Sequence, residues 1–314
     1  MPPTLNDIQQ AAERIKPYAH RTPVLTNESL NQKVGAQVYL KCENLQKVGA
    51  FKFRGACNAV YSLTDEEASH GVVTHSSGNH AQALALAAKM RGIPAYIVMP
   101  SNAPQVKKDA VAGYGGQITF CEPTLTARES TMEGIRQKTG ATVVHPYDNE
   151  KVIAGQGTAA LELLEDVPDL DVIITPVGGG GLLSGTSIAA MGLKKGIRVI
   201  AGEPEKADDA FRSLQADRII PSENPKTIAD GLLTSLGALT FPIIQQNVEQ
   251  IVTVSEEGII AAMKFVWERA KIIIEPSSAV AIGVLWENKI NLHGLKIGVI
   301  ISGGNVDLNK LPWQ

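Results

Sequence analysis

Short apolar runs and helical patterns take turns along most of this chain, and that alternation leaves few folds open. In the first half, Val72 and Val73 precede an Ala/Leu-rich helical stretch ending near Met90. Residues 95–99 precede a helix from Pro104 to about Tyr114, residues 117–120 precede a helix through Arg128 and Glu133, and residues 142–144 close the series. The second half repeats the grammar: a strand over 171–176, a helix over 182–191, and a strand over 198–202 with Glu203 at its end. A helix through Met263 and Trp267, the apolar run Ile272, Ile273 and Ile274, a helix to about Trp286 and a strand over 297–301 follow. Repeated strand-then-helix units with short buried strands imply parallel sheets covered by helices on both faces. Between the halves, His145, Pro146, Tyr147, Asp148 and Asn149 break the pattern and read as a domain crossing.

The N-terminal segment is simpler. Thr4 and Asp7 have capping-box spacing, and Ile8, Ala11, Ala12 and Ile15 recur at helical intervals until Pro17. A strand over 38–42 comes next. It leads towards Gly49, Ala50, Phe51, Lys52, Phe53, Arg54 and Gly55, ahead of a helix expected to begin near Ala56.

Composition narrows the function. A net charge of -3 without long like-charged runs gives no footprint for nucleic acid or an anionic membrane. No run approaches the ~20 apolar residues of a membrane span, and the N-terminus has no basic region followed by an apolar one. Cys42, Cys57 and Cys121 are odd in number and widely spaced, which predicts neither a disulfide framework nor a structural zinc site. A cytoplasmic enzyme acting on small molecules is the expectation.

Lys52 is the leading chemical candidate. An ammonium between two phenylalanines and an apolar segment loses hydration, which disfavours the charged form and draws its pKa towards the range where a neutral amine attacks a carbonyl. Gly49, Ala50 and Gly55 leave room for a flat cofactor to approach the backbone.

Three loops fall where ligands bind in open α/β sheets, beyond the carboxyl ends of strands. Ser76, Ser77, Gly78, Asn79 and His80 open a helix, so their backbone amides suit an anion, although capping alone is the alternative. Gly178, Gly179, Gly180 and Gly181 can wrap a phosphate. They narrowly miss the dinucleotide fingerprint, with Ser184 at the third glycine position, and Glu203 stands where a ribose-binding acid would, so a nicotinamide-dependent oxidoreductase stays open. Ser302, Gly303, Gly304 and Asn305 end the last strand, where a serine hydroxyl suits a heteroaromatic nitrogen or merely closes a turn. Glu203, Ala207 and Asp209 supply two carboxylates and a carbonyl for a hard cation, or simply acids near a helix start. His75, His80 and His145 lack metal-ligand spacing.

The lysine in its strand-to-helix connection, the Ser-Ser-Gly-Asn-His run, the tetraglycine and the terminal Ser-Gly-Gly-Asn occur in an order that resembles the fold-type II pyridoxal-phosphate enzymes. The likeness is to the tryptophan synthase β-like branch that holds serine/threonine dehydratases and amino-acid racemases. His20 to Leu25, Ile153 to Thr158, Thr227 to Gly231 and Ser302 to Asp307 extend it over essentially the whole chain. It implies two open, twisted, mostly parallel sheets flanked by helices. Residues 1–66 and 150–314 would form a large cofactor-binding domain, and 67–149 a small mobile one.

The resemblance also implies roles. Lys52 would be the Schiff-base lysine, with Phe51 beside the cofactor ring, Asn79 on its hydroxyl, the four glycines on its phosphate, and Glu275 and Ser302 completing the site. Ser76, Ser77, Gly78, Asn79, His80 and Arg128 would bind substrate. Ser77, where threonine-degrading members carry alanine, would deliver a proton opposite Lys52. Glu203, Ala207 and Asp209 would hold Mg²⁺ (or Ca²⁺ or Mn²⁺). Relatives are dimers, and several take ATP at the subunit interface, at positions similar to Asn27, Lys47, Gln82, Tyr114, Lys271 and Asn305. Asn27 and Glu28 replace paired serines of the mammalian form. The implied activity is interconversion of L- and D-serine with some β-elimination to pyruvate and ammonia. Dehydration of serine, threonine or 3-hydroxyaspartate is the rival, with Arg128 suited to a β-carboxylate.

Overall fold

The computed structural model describes all 314 residues. α1 (Leu5–Ile15) begins with reciprocal bonds between Thr4 and Asp7, and β1 (Val24–Thr26), α2 (Glu28–Val34) and β2 (Gln37–Cys42) follow. Two 3-10 turns lead to α3 (Lys52–Tyr61) and α4 (Asp65–His70). Next come β3 (Val72–His75), α5 (Asn79–Arg91), β4 (Ala95–Pro100), α6 (Gln105–Gly113), β5 (Gln117–Cys121), α7 (Leu125–Thr139) and β6 (Thr142–Val143). α8 (Glu150–Asp166) leads into β7 (Val172–Pro176), α9 (Gly181–Leu193), β8 (Arg198–Pro204), α10 (Asp209–Ala216) and α11 (Thr240–Asn247). β9 (Gln250–Val254), α12 (Glu256–Phe265), α13 (Pro276–Trp286) and β10 (Lys296–Ile301) complete the order.

The strands form two sheets. One has the order β1-β2-β10-β7-β8-β9, parallel except for the β1–β2 pair; the other has the order β5-β4-β3-β6 and is parallel throughout. Strands covered on both faces need apolar side chains at every position. In β7 every residue is buried: Val172 and Ile174 join the core beneath α12 and α13, while Ile173 joins the one beneath α8 and α9. A third core lies between α3, α5 and the smaller sheet.

Helix α8 went unread in the sequence because Gly155 and Gly157 weaken its helical pattern. The glycines are there for packing. A Cβ on Gly155 would lie 2.6 Å from the Cα of Gly55 in α3, and one on Gly157 would lie 2.8 Å from the carbonyl of Gly185 in α9. Backbone-to-backbone contact thus fixes α3, and the lysine at its start, against α8. Burial decided this helix over propensity. A second correction concerns the helix start: α3 begins at Lys52, not near Ala56.

Candidate active site

Lys52 is the first residue of α3, and its amine donates to the Pro146 carbonyl at 2.9 Å. Burial draws the amine down to about pKa 8, against the opposing charge of Glu275. One of the two expected aromatic neighbours is present: Phe51 lies 5.1 Å beneath the amine. The other is not, because helical rotation turns Phe53 into the core, where it is fully buried under Lys47. Phe51 is tied to the end of β10 by its own amide, which donates to the Ser302 carbonyl at 2.9 Å.

Ser76 to Gly78 connect β3 to α5, which Asn79 and His80 open and whose first amides receive no side-chain cap. Such amides have no partner inside the helix and carry its positive end, so this loop can hold a carboxylate. His80, second in α5, bonds the Val144 carbonyl through Nε2 at 3.0 Å. Burial, then the charge of Lys52, lowers its pKa to about 3, so the ring is neutral and belongs to the same local field as the lysine. His145, lowered to about 4 chiefly by burial, bonds the amides of Tyr147 and Asp148. None of the three histidines joins a metal-binding group.

Asn79 links the two sheets. Its Nδ2 lies 3.1 and 3.2 Å from the Glu275 carboxylate oxygens, and its Oδ1 accepts from Asn305 Nδ2 at 2.9 Å. The Asn305 backbone amide also donates to Glu275 at 3.1 Å. An amide oxygen has two lone pairs, so Asn79 keeps one for a ligand while its orientation is fixed. Burial, with the nearby Asp230, raises Glu275 to about pKa 7.

The tetraglycine caps α9 without any side-chain bond. Gly180 has a positive φ of 89°, and a Cβ on Gly179 would stand 2.3 Å from the Tyr147 ring. Larger residues are excluded on both counts. Ser302 is buried with its hydroxyl 2.9 Å from that of Ser278. Uncapped helix amides, a bare glycine loop and a desolvated lysine fit a flat phosphorylated aldehyde.

The remaining candidates divide. Arg128, on α7, is half-buried with its Nε unpartnered, and it makes none of the protein's salt bridges; its charge reaches His75 at the end of β3. Glu203 accepts the Ala210 and Phe211 amides at 2.8 Å, and Asp209 Oδ2 is buried without a donor in bonding geometry. The charges of Asp209 and Asp208 both reach Glu203, but no group of three ligating side chains forms there. The expected nucleotide residues split into groups. α5, which carries Gln82, packs on the turn of Lys47, whose neighbour Val48 accepts from Asn305 at 2.8 Å. Asn27 bonds the Arg269 carbonyl near Lys271, and Tyr114 ends α6; no hydrogen bond joins these to the first group.

Pro146, Tyr147 and Asp230 were not singled out by chemistry in the sequence. In the sequence His145 to Asn149 read only as a crossing, and their irregular composition is the available signal.

The geometry has close counterparts. Residues 15–303 match the family described as pyridoxal-phosphate dependent enzyme. The serine racemase of Dictyostelium discoideum is 55% identical over 98% of this chain and 96% of its own length, and its crystal structure superposes with a TM-score of 0.93 over 98% of this chain and 99% of that one. The beta-hydroxyaspartate dehydratase of Paracoccus denitrificans is 52% identical over 99% of both chains. The structure of maize serine racemase, 46% identical, superposes with a TM-score of 0.96, covering 98% of this chain and 95% of that one. No helix is long and apolar enough to cross a membrane. With its lysine, glycine loop and sheet order in place, the chain belongs to the pyridoxal-phosphate dependent enzyme family.

Proposed function

We propose that this protein interconverts L- and D-serine and also eliminates water from serine, the unsaturated amine that results being hydrolysed to pyruvate and ammonia. The observation that carries the reading is the half-buried Lys52 at a helix start, its amine drawn by desolvation to about pKa 8 beside an uncapped anion-binding loop. Pyridoxal phosphate, when bound, supplies an electron sink for the pair left behind as the α-proton departs. The four glycines and the first turn of α9 hold its phosphate, Lys52 anchors it, and Phe51, Asn79, Glu275 and Ser302 set its ring. The Ser76 to His80 loop holds the substrate carboxylate. Lys52, neutral in a useful fraction near pH 8, takes the α-proton. Inversion needs a second group to return a proton to the other face, and we assign that to Ser77. If the β-hydroxyl leaves first, elimination results from the same proton removal.

The coarser fold reading extends in the same way. The smaller sheet, within residues 67–149, acts as a mobile domain over the larger one. Asp209, Glu203 and the Ala207 carbonyl hold a divalent cation, for which the unpartnered Asp209 Oδ2 is the fit. A cytoplasmic homodimer with an ATP effector near Lys47, Gln82 and Asn305 completes the proposal.

One observation favours a second substrate class. Arg128 is a half-buried arginine free of any carboxylate, which suits the β-carboxylate of 3-hydroxyaspartate; the Paracoccus relative supports this reading. Chiral chromatography of products from L-serine with the cofactor and Mg²⁺ tests both. D-Serine together with pyruvate is expected, and Ser77→Ala should lose about a hundredfold or more of racemisation while retaining elimination from L-serine. Pyruvate alone, or faster turnover of 3-hydroxyaspartate than of serine, would make the protein a dehydratase.

A further inference from the structure

Polar contacts join the two sheet units in more than one place, and they differ in kind. Arg91, at the end of α5, donates to the carbonyls of Val60 and Leu63 at the end of α3 and lies 3.6 Å from Asp65. These partners are within a few residues of the point where the chain passes from one unit to the other. Asp148, at the second crossing, accepts from the amides of Ala238, Leu239 and Thr240. Contacts beside the crossings lie where the chain itself already joins the units.

Lys107 and Asp230 stand apart from these. Lys107 is on α6 of the smaller unit, 123 residues from Asp230, and its amine meets the Asp230 carboxylate at 2.6 Å. In sequence neither residue lies near a crossing, a property the pair shares with the Asn79 bonds to Glu275 and Asn305. The other salt bridges stay inside one unit or sit at the Arg91 crossing.

What Asp230 is attached to gives the pair its importance. It opens a 3-10 turn, Asp230–Leu232, that backs the glycine loop: a Cβ on Gly178 would lie 2.9 Å from Leu232 Cα. The next amide, that of Gly231, donates to Ser277 in the first turn of α13 at 3.0 Å. Glu275, which precedes α13 and bonds Asn79, lies within the electrostatic reach of both Asp230 and Lys107. One ion pair therefore ties the smaller unit to the turn that supports the glycine loop, beside the carboxylate that orients Asn79.

We propose that Lys107 and Asp230 are positioning residues, forming a catch that holds the smaller unit closed so that Ser76 to His80 meet the Lys52 site. The inference rests on the functional reading above for its substrate. A partly exposed ion pair contributes a small increment, which suits a catch that must also open for product to leave. When a ligand binds only the closed form, its apparent dissociation constant varies inversely with the closed fraction.

The test uses the holoenzyme with Lys107→Met, Asp230→Asn and the charge reversal that combines Lys107→Asp with Asp230→Lys. Each single variant should raise KM for L-serine about two- to fivefold while kcat changes less than twofold. Hydrogen exchange of the bonded amides of Gly231 and Leu232 should accelerate by a similar factor. The reversal should recover at least half of both effects, and added salt should move the wild type towards the variants. Wild-type KM and exchange in the single variants would overturn the proposal, as would a reversal no better than its components. If L-serine is not turned over at all, the exchange data still decide the catch, and the failure falls on the functional reading alone.

Discussion

On and beneath α3, the fully buried Arg54 and Lys41 meet Glu43 and Glu162; beside β8, Glu203 and Asp209 are also taken from water but make no salt bridge, Arg212 pairing with Asp208 instead and reaching them only through its charge. In the first set two positive and two negative groups balance. Arg54 reaches Glu43 at 2.7 and 2.9 Å and Glu162 at 2.8 Å through both outer nitrogens, while Lys41 bonds Glu162 at 2.6 Å and the Thr22 carbonyl at 2.7 Å. Burial raises the pKa of Glu162, but Arg54 and Lys41 outweigh it and hold the carboxyl below its ordinary value. In the second set burial wins: Glu203 rises to about 9 and Asp209 to about 6, despite two backbone amides on Glu203. Lys52 belongs with the second kind, a buried charge left short of partners. Balanced burial builds a scaffold, and unbalanced burial leaves groups whose charge state a ligand can change.

The sharpest test of that contrast is Lys52→Met. The holoenzyme should lose the visible absorbance of lysine-bound cofactor and at least about a thousandfold of activity. The cofactor-free chain should gain stability of about 1–3 kcal/mol at pH 7, because a desolvated amine is removed. The sign follows from proton counting: the folded amine has a pKa near 8 and the unfolded one near 10.5. The wild type is therefore penalised below pH 8 and recovers as pH rises to 10.5, so the gap between the two proteins closes over that window. Equal urea midpoints at pH 7 would show that water reaches the amine.

Arg54→Met should act in the opposite sense. It leaves the buried Glu43 without a cation and the half-buried Glu162 with Lys41 alone, which costs about 3–5 kcal/mol in urea unfolding. In the wild type, Glu162 contributes stability above its ordinary pKa of 4.5, lost as pH falls through its lower folded value. The variant should keep only the part of that acid-side dependence that Lys41 supplies. A loss under 1 kcal/mol would mean that the four charges are not coupled.

How much of this was legible depended on whether the signal was local. Lys52, the serine loop and the tetraglycine announce themselves by unusual residues at strand ends, and the alternation of apolar runs with helical patterns foretold two largely parallel sheets. Features set by distant partners stayed hidden. α8 is helical because Gly55, Gly155, Gly157 and Gly185 let three helices touch, which no window of sequence reports. The two phenylalanines around Lys52 read as a pair, yet a helix beginning one turn early sends Phe53 into the core. Pairings such as Lys107 with Asp230, or Asn79 with Glu275, span more than a hundred residues and follow from topology alone.

The mildest expected effect completes the comparison at Glu203 and Asp209. If a divalent cation supplies the charge that Arg54 and Lys41 supply elsewhere, binding must stabilise the folded chain by mass action, about 2.7 kcal/mol at a hundredfold excess over its dissociation constant. For a chain of 314 residues that corresponds to a rise in Tm of about 4 °C. Adding Mg²⁺ to chelator-treated protein should produce this shift without substrate, and Asp209→Asn should abolish it while Glu43 and Glu162 remain intact. The asparagine keeps the size of the side chain but gives up one charge, so loss of the response isolates electrostatics from packing. A variant that still responds to Mg²⁺ would place the cation elsewhere, and the acid pair would then be a second scaffold, one that stays neutral by protonation instead of by pairing.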